Sequence, residues 1–328
     1  TLSLHDALPI LAQNFGAKRH KDNEKHIADA LMLSAVFGLL IGIVFIIFGR
    51  QLILIMFNPQ SETATITETY VKIMLVATPF VFCAAALRSA LQGLGRTKET
   101  LYVFGSANIL NMLLVSLFVF PMGWGIAGAA WATVLSNVFA FVAIYWQVAK
   151  IVYRNQWLQL IHFSKESFRE YFVLLKIGSY ACVQQVARPI TGMLMFRIVY
   201  EVAGDAGTAA FGIGGQLLAY TFIILAGLTT GIAVLAGQSI GAGTTNRLKA
   251  IVSTGLLIST LNMLLFAIPY ILLGRWVMSF FTEDAEIIRI GITYLQIVYV
   301  GLFTVIWTTV YSGVFQGRSE EHTSELQS

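Results

Sequence analysis

The chain has 328 residues, 57% of them hydrophobic and only 12% charged, with a formal net charge of +4 and two cysteines. Globular domains carry about a quarter charged residues, so this composition excludes an ordinary soluble domain, and two cysteines make no disulfide framework. The positive charge falls in short segments between apolar runs, which membrane topology explains without a nucleic-acid surface.

The two ends differ from everything between them. Residues 1–10, "TLSLHDALPI", and residues 318–328, "RSEEHTSELQS", match residue for residue the translations of two common sequencing-library adapters. Both are read as adapter-derived and set aside. What remains, 11–317, is expected to be an internal fragment.

Long uncharged runs set the class. Ala30–Phe48, Leu101–Ala149, Ala206–Asn246, Ala250–Gly274 and Ile290–Gly317 contain no Asp, Glu, Lys or Arg. A helix crosses the hydrocarbon core with about 20 apolar residues. Eight spans follow in chain order: 30–52, 70–94, 101–121, 125–149, 171–200, 206–236, 250–274 and 290–316. "PMGWG" at 121–125 is the turn inside the longest run. No charged helix face and no ten-residue alternation appears, so neither a soluble bundle nor a β-barrel fits.

The cations orient these spans. Lys18, Arg19, Lys21 and Lys25 precede the first; Arg88, Arg96 and Lys98 follow the second; Lys150, Arg154, Lys165 and Arg169 follow the fourth; Arg247 and Lys249 follow the sixth. The alternate connections "NPQSETATITE", "PMGWG", "EVAGDAG" and "TEDAE" carry no Lys or Arg. The basic segments therefore face the cytoplasm.

Four pairs of stretches then repeat at a nearly constant spacing. "LAQNFGA" at 11–17 aligns with "AGQSIGA" at 236–242, and "FGR" at 48–50 with "LGR" at 273–275, both at an offset of 225. "YVKIMLV" at 70–76 aligns with "YLQIVYV" at 294–300, and "ALQG" at 90–93 with "VFQG" at 314–317, both at 224. Six spans fit in that offset, so the copies run parallel, which is a transporter architecture. The organisation expected is a partial N-lobe of four helices at 11–152, a cytoplasmic linker at 153–170 and a partial C-lobe of four helices at 171–317. Completing both copies requires about 65–70 further residues upstream and about 55–60 downstream, for a parent of roughly twelve spans.

Little in the chain suggests chemistry. Cys83 and Cys182 fall inside spans and read as small apolar residues. His20, His26 and His162 fall in predicted loops without ligand spacing. No nucleotide loop and no nucleophile–base pair is present, so no catalytic residue, metal ligand or cofactor is assigned. "FGIGGQ" at 211–216 and the GxxxG pairs Gly227/Gly231 and Gly237/Gly241 read as helix-packing positions. Arg197 and Glu201, four apart, predict a local ion pair.

"LRSALQGLGRTKET" at 87–100, "ANILNMLLVSLFVF" at 107–120, "GWGIAGAAWATVLSN" at 123–137 and "LAGQSIGAG" at 235–243 together resemble the MATE family of multidrug and toxic-compound extrusion antiporters. The resemblance implies an all-α polytopic membrane protein built as a two-lobe helical bundle of parallel six-helix repeats, here reduced to eight helices. It implies efflux of small cationic or amphipathic molecules in exchange for H⁺ or Na⁺, by alternating access of the lobes. It also implies a monomer in a bacterial plasma membrane, with no nucleic-acid partner, and a fragment that does not transport alone.

The cavity positions that the resemblance carries over are Asn108, Asn111, Thr133, Gln184, Gln185 and Arg188. Val115, Arg188 and, at about its place, Val305 stand where family members carry carboxylates, so the coupling ion stays unassigned. An Arg in mid-span is costly, and Pro189 frees backbone carbonyls beside it. Arg188 either lines the cavity or is a structural residue tied to helix carbonyls. The alternative function is a flippase for lipid-linked saccharides, where cationic cavity residues would meet a pyrophosphate.

Overall fold

The structure is a computed structural model. It describes residues 11–17, 20–56, 62–153, 168–244 and 246–318. Side chains are described over the same residues except 20–22, 52–56, 62–64, 168–186, 188 and 318. The 1–10 segment, 319–328 and nearly all of the 153–170 linker lie outside the described residues.

All described regular structure is helical. The elements are α1 His20–Met56, α2 Glu62–Gly93, α3 Thr97–Val119, α4 Gly125–Ile151, α5 Phe168–Gly241, α6 Arg247–Leu272, the short α7 Gly274–Ser279 and α8 Ala285–Arg318. Each predicted span falls on one of them, and most helices outrun their span. α1 begins ten residues early, so His20 and His26 are helical rather than in a loop, and α2 takes in 62–68 of a connection read as a loop. Lipid fixes where a helix must be apolar, not where it must stop.

Seven stretches are long and apolar enough to cross a bilayer, one of them the 53-residue Pro189–Gly241. That stretch folds back on itself. Its helix, α5, has 74 residues, a straight rod of about 110 Å against ~30 Å of hydrocarbon. Gly204 interrupts it with φ 60° and ψ −154°, a conformation that only glycine adopts freely. Phe196 and Phe211 then meet edge to face with ring centroids 4.9 Å apart. Fifteen residues of unbroken helix would hold them ~22 Å apart. The chain thus reverses at Gly204, within the connection predicted between 200 and 206.

Two compact units divide the chain, one over residues 19–179 and the other over 180–328 apart from a few N-terminal residues. In the first, Ile27 and Leu31 of α1, Leu87 and Leu91 of α2, and Ile144 and Val148 of α4 form the core. Gly38 of α1 sits against the Pro79 kink of α2, where an added Cβ would lie 2.6 Å from the Pro79 Cα. The α3–α4 turn needs positive φ at Gly123 and Gly125, and it stacks Phe118 on Trp124 at 5.1 Å.

In the second unit the core joins Leu217 of the second α5 arm, Met263, Ala267 and Tyr270 of α6, Met278 of α7, and Leu295, Tyr299 and Ile306 of α8. Buried residues on α8 recur at Gly291, Leu295, Tyr299, Ile306, Val310, Gly313 and Gly317, a helical stripe. Its end is glycine because the neighbouring backbone is there: a Cβ on Gly317 would lie 2.7 Å from the Ala233 carbonyl oxygen. Of the predicted glycine pairs, Gly237 serves this contact, whereas nothing described lies within 4 Å of a Cβ at Gly227 or Gly231. Asp284 caps α8, its Oδ1 accepting from the Glu286 backbone N–H at 2.8 Å.

The predicted Arg197–Glu201 pair forms at 3.0 Å on an exposed face, where it contributes little. Lys72 pairs with Glu68 at 2.7 Å, and the Arg88 guanidinium lies 5.1 Å from the Phe104 ring centroid. Cys83 is a buried free thiol.

Glycine contacts give a direct test of this packing. Gly38→Ala is expected to destabilise the protein by about 1–3 kcal/mol, because the Pro79 backbone cannot yield. Gly227→Ala is expected to be neutral or to stabilise by up to ~1 kcal/mol through helix propensity. Thermal unfolding of both variants in the same detergent checks the contrast.

Candidate substrate and ion site

α3 and α4 are antiparallel neighbours joined by the short turn at 120–124, and they carry half of the polar side chains assigned from sequence. Asn108 and Asn111 lie three apart on α3, hence on one face. Thr133 and Asn137 lie four apart on α4. The structure joins the two helices here: the Asn111 Nδ2 donates to Thr133 Oγ1 at 3.4 Å. Thr133 in turn donates to the Ala129 carbonyl at 3.0 Å. Asn137, which sequence reasoning did not single out, donates its Nδ2 to the Thr133 backbone carbonyl at 2.8 Å. Its spacing from Thr133 in "TVLSN" was the available signal.

These bonds leave polar atoms on the seam. Asn111 and Asn137 each give one amide N–H, so each side chain keeps a second N–H beside its acceptor oxygen. Asn111, Thr133 and Asn137 are each half-buried. Asn108 is exposed, one turn along α3 toward the end that carries Arg96. Val115, also half-buried, follows Asn111 by one turn and adds no charge. The seam is neutral and polar.

The other assigned positions are carried by a different helix. Gln184, Gln185 and Arg188 fall on the first arm of α5, and their side chains are outside the described residues. No group of three or more His, Cys, Asp or Glu able to hold a metal occurs among the described residues.

Two buried polar groups were not anticipated. Near the cytoplasmic end of α1, Asn23 and Asp29 are 2% and 3% exposed. Tyr153, just past α4, donates its hydroxyl to the Glu24 backbone carbonyl. Burial, with the Glu24 and Asp29 carboxylates nearby, pushes the Tyr153 phenol above its ordinary range. In the second unit, Ser259 and Asn262 lie buried on α6, and Thr221 of α5 shares a 2.6 Å hydrogen bond with Tyr299 of α8.

Comparisons with known proteins agree on one fold. The MatE family profile matches residues 7–117 and 181–324; these stretches hold every assigned site residue except Thr133. The chain is 23% identical over 313 residues to a probable multidrug resistance protein, YoeA, of Bacillus subtilis, covering 93% of this chain and 65% of that protein. It is 22% identical over 324 residues to the multidrug export protein MepA of Staphylococcus aureus, covering 97% and 70%. An outward-facing multidrug resistance MATE family transporter superposes with a TM-score of 0.84 at 20% identity, over 99% of this chain and 73% of that one. A transporter of the same superfamily from Pyrococcus furiosus gives 0.81 at 21% identity, over 99% and 73%. The chain thus spans about two thirds of the length of the curated relatives it matches.

The seam's bond is measurable. A double-mutant cycle on Asn111→Leu and Thr133→Val is expected to give a coupling of about 0.6 kcal/mol, the usual scale for hydrogen bonds between membrane helices. Unfolding of the four proteins in mixed micelles checks it.

Proposed function

Since the chain belongs to the MatE family, a family of membrane transporters and not of enzymes, we propose that it is part of a multi-pass exporter of small cationic or amphipathic molecules. The observation that carries this reading is the neutral polar seam of Asn111, Thr133 and Asn137 between α3 and α4, which offers amide and hydroxyl oxygens. Amide and hydroxyl oxygens in a low-dielectric setting favour ligands that bring donors or positive charge. A neutral seam does so without holding a cation so tightly that it cannot leave. The abundant Phe, Tyr and Met of the chain suit adaptable contact with apolar ligand surface.

The coupling proposed is antiport with H⁺ or Na⁺. Asn111 and Thr133 supply neutral oxygens to an entering cation; Val115 supplies none. The location proposed is a bacterial plasma membrane, with the protein acting as a monomer. On its own the chain is proposed to bind its ligand without transporting it, the rest of the helical repeat being needed to exchange access.

One residue favours a second reading. Arg188 follows "QQVA" where the resemblance places a carboxylate. If its guanidinium serves the ligand, a bidentate pairing with a pyrophosphate would suit a lipid-linked saccharide.

Ligand binding separates the two. The purified chain is expected to bind tetraphenylphosphonium, and Asn111→Leu to weaken that binding about 5-fold, the worth of one hydrogen bond. Binding of farnesyl diphosphate instead, lost in Arg188→Gln, would overturn the exporter reading in favour of the flippase. Equilibrium dialysis with the labelled ligands reads both.

A further inference from the structure

The buried face of α6 holds polar atoms that the protein leaves unanswered. Ser259 is 0% exposed and Asn262 is 7% exposed. The Ser259 Oγ and both polar atoms of the Asn262 amide have no hydrogen-bond partner. The two residues lie three apart, on one side of the helix. Orphan groups of this kind are costly in any protein interior and more so within a bilayer.

Ser259 does not do what other buried serines of this chain do. Ser34 donates to the Ala30 carbonyl at 2.6 Å and Ser136 to the Ala132 carbonyl at 2.8 Å, both folding back one turn. Thr260, beside Ser259, does the same to Leu256 at 2.7 Å. The internal repeat sharpens the contrast. The 225-residue offset that aligns "FGR" with "LGR" places Ser259 on Ser34 and Asn262 on Phe37. The first copy satisfies its serine and fills the next position on that face with a phenyl ring. The second copy leaves its serine open and presents an amide.

We propose that α6 of the second unit seats resident internal water on Ser259 and Asn262. Water is selected over a cation by the donor inventory. An Asn262 carboxamide has an Nδ2–H that needs an acceptor and an Oδ1 that needs a donor. Water supplies both, whereas a metal cation would face the N–H with like polarity. No charged side chain lies on α6 between Lys249 and Arg275 to offset a cation's desolvation. Buried water commonly answers polar groups of this kind and makes about three hydrogen bonds. The α6 interface is thereby wet at its centre, whereas Ser34 in the first unit is satisfied by protein alone. The inference does not depend on which ligand the protein exports.

Radiolytic labelling of the full chain in liposomes tests it, because hydroxyl radicals arise wherever water resides. Met263 and Met278 are both 0% exposed, and Met263 adjoins Asn262 in sequence. Met263 is expected to oxidise several-fold faster than Met278, with oxygen drawn from labelled water. The Ser259→Ala, Asn262→Leu double variant is expected to bring it down to the Met278 rate. Equal, slow oxidation of the two methionines in the native chain would overturn the proposal. A second measurement covers misfolding of the double variant. Ser259→Ala alone is expected to lower the thermal midpoint by removing a hydrogen bond to water. A raised midpoint, the result of deleting a group that had no partner, would equally overturn it.

Discussion

A backbone amide inside hydrocarbon has no water to bond, so each must be answered within its own helix. Everything described in this protein follows from that constraint. The chain is helical wherever it is apolar, and the tight turns fall at Gly95, Gly123, Gly125, Gly204 and Gly243, where φ is positive. The turn after α2 shows how the helix end is closed. Gly95 donates to the Gln92 carbonyl at 2.9 Å and Arg96 to the Leu91 carbonyl at 2.8 Å, so the last carbonyls are not abandoned. Gly243 and Thr244 repeat the arrangement after α5, on the Ile240 and Ser239 carbonyls, both at 2.9 Å.

Once helices are obligatory, close approach has to hold them together, because lipid tails are as apolar as leucine. The protein uses absent side chains for this. Gly38 meets the kink at Pro79, and Gly313 and Gly317 meet the backbone of the second α5 arm. Large residues are turned outward instead: Ile109 and Met112 on α3, and Ile297, Trp307 and Phe315 on α8, are exposed. Polar side chains occupy the few remaining interior positions, and each then carries information. Asn111 with Thr133 specifies how α3 meets α4. Thr221 with Tyr299 does the same for α5 and α8.

The spans were legible because a bilayer imposes a length and forbids charge, and both can be counted in one sequence. The Arg197–Glu201 pair was legible because it is local. Asn111 and Thr133 were each assigned through family resemblance, and the structure supplies the contact between them. Other features were not legible for a physical reason. Gly227/Gly231 and Gly313/Gly317 have the same spacing, but among the described residues only the second pair meets a neighbour, and facing is a property of the assembled bundle. Asp29 and Asn23 sit in a basic, polar stretch that reads as solvated; their burial is a property of the packed unit, where Tyr153, over a hundred residues away, bonds the neighbouring Glu24 carbonyl. Ser259 and Asn262 are two mild residues in an apolar run. Nothing marks them until the packing removes their partners.

The central claim is that the two arms of α5 are two crossings reversed at Gly204, which places the start of α6 back on the cytoplasmic side with Arg247 and Lys249. Site-directed labelling decides it most directly. In a background with Cys83 and Cys182 replaced by serine, single cysteines are placed at Asp205 and at Arg247 and exposed to a membrane-impermeant maleimide on intact cells. The account predicts that Asp205→Cys reacts from outside and that Arg247→Cys reacts only after permeabilisation. Reaction of Arg247→Cys from outside would contradict it, because the chain would then cross once between residues 168 and 241.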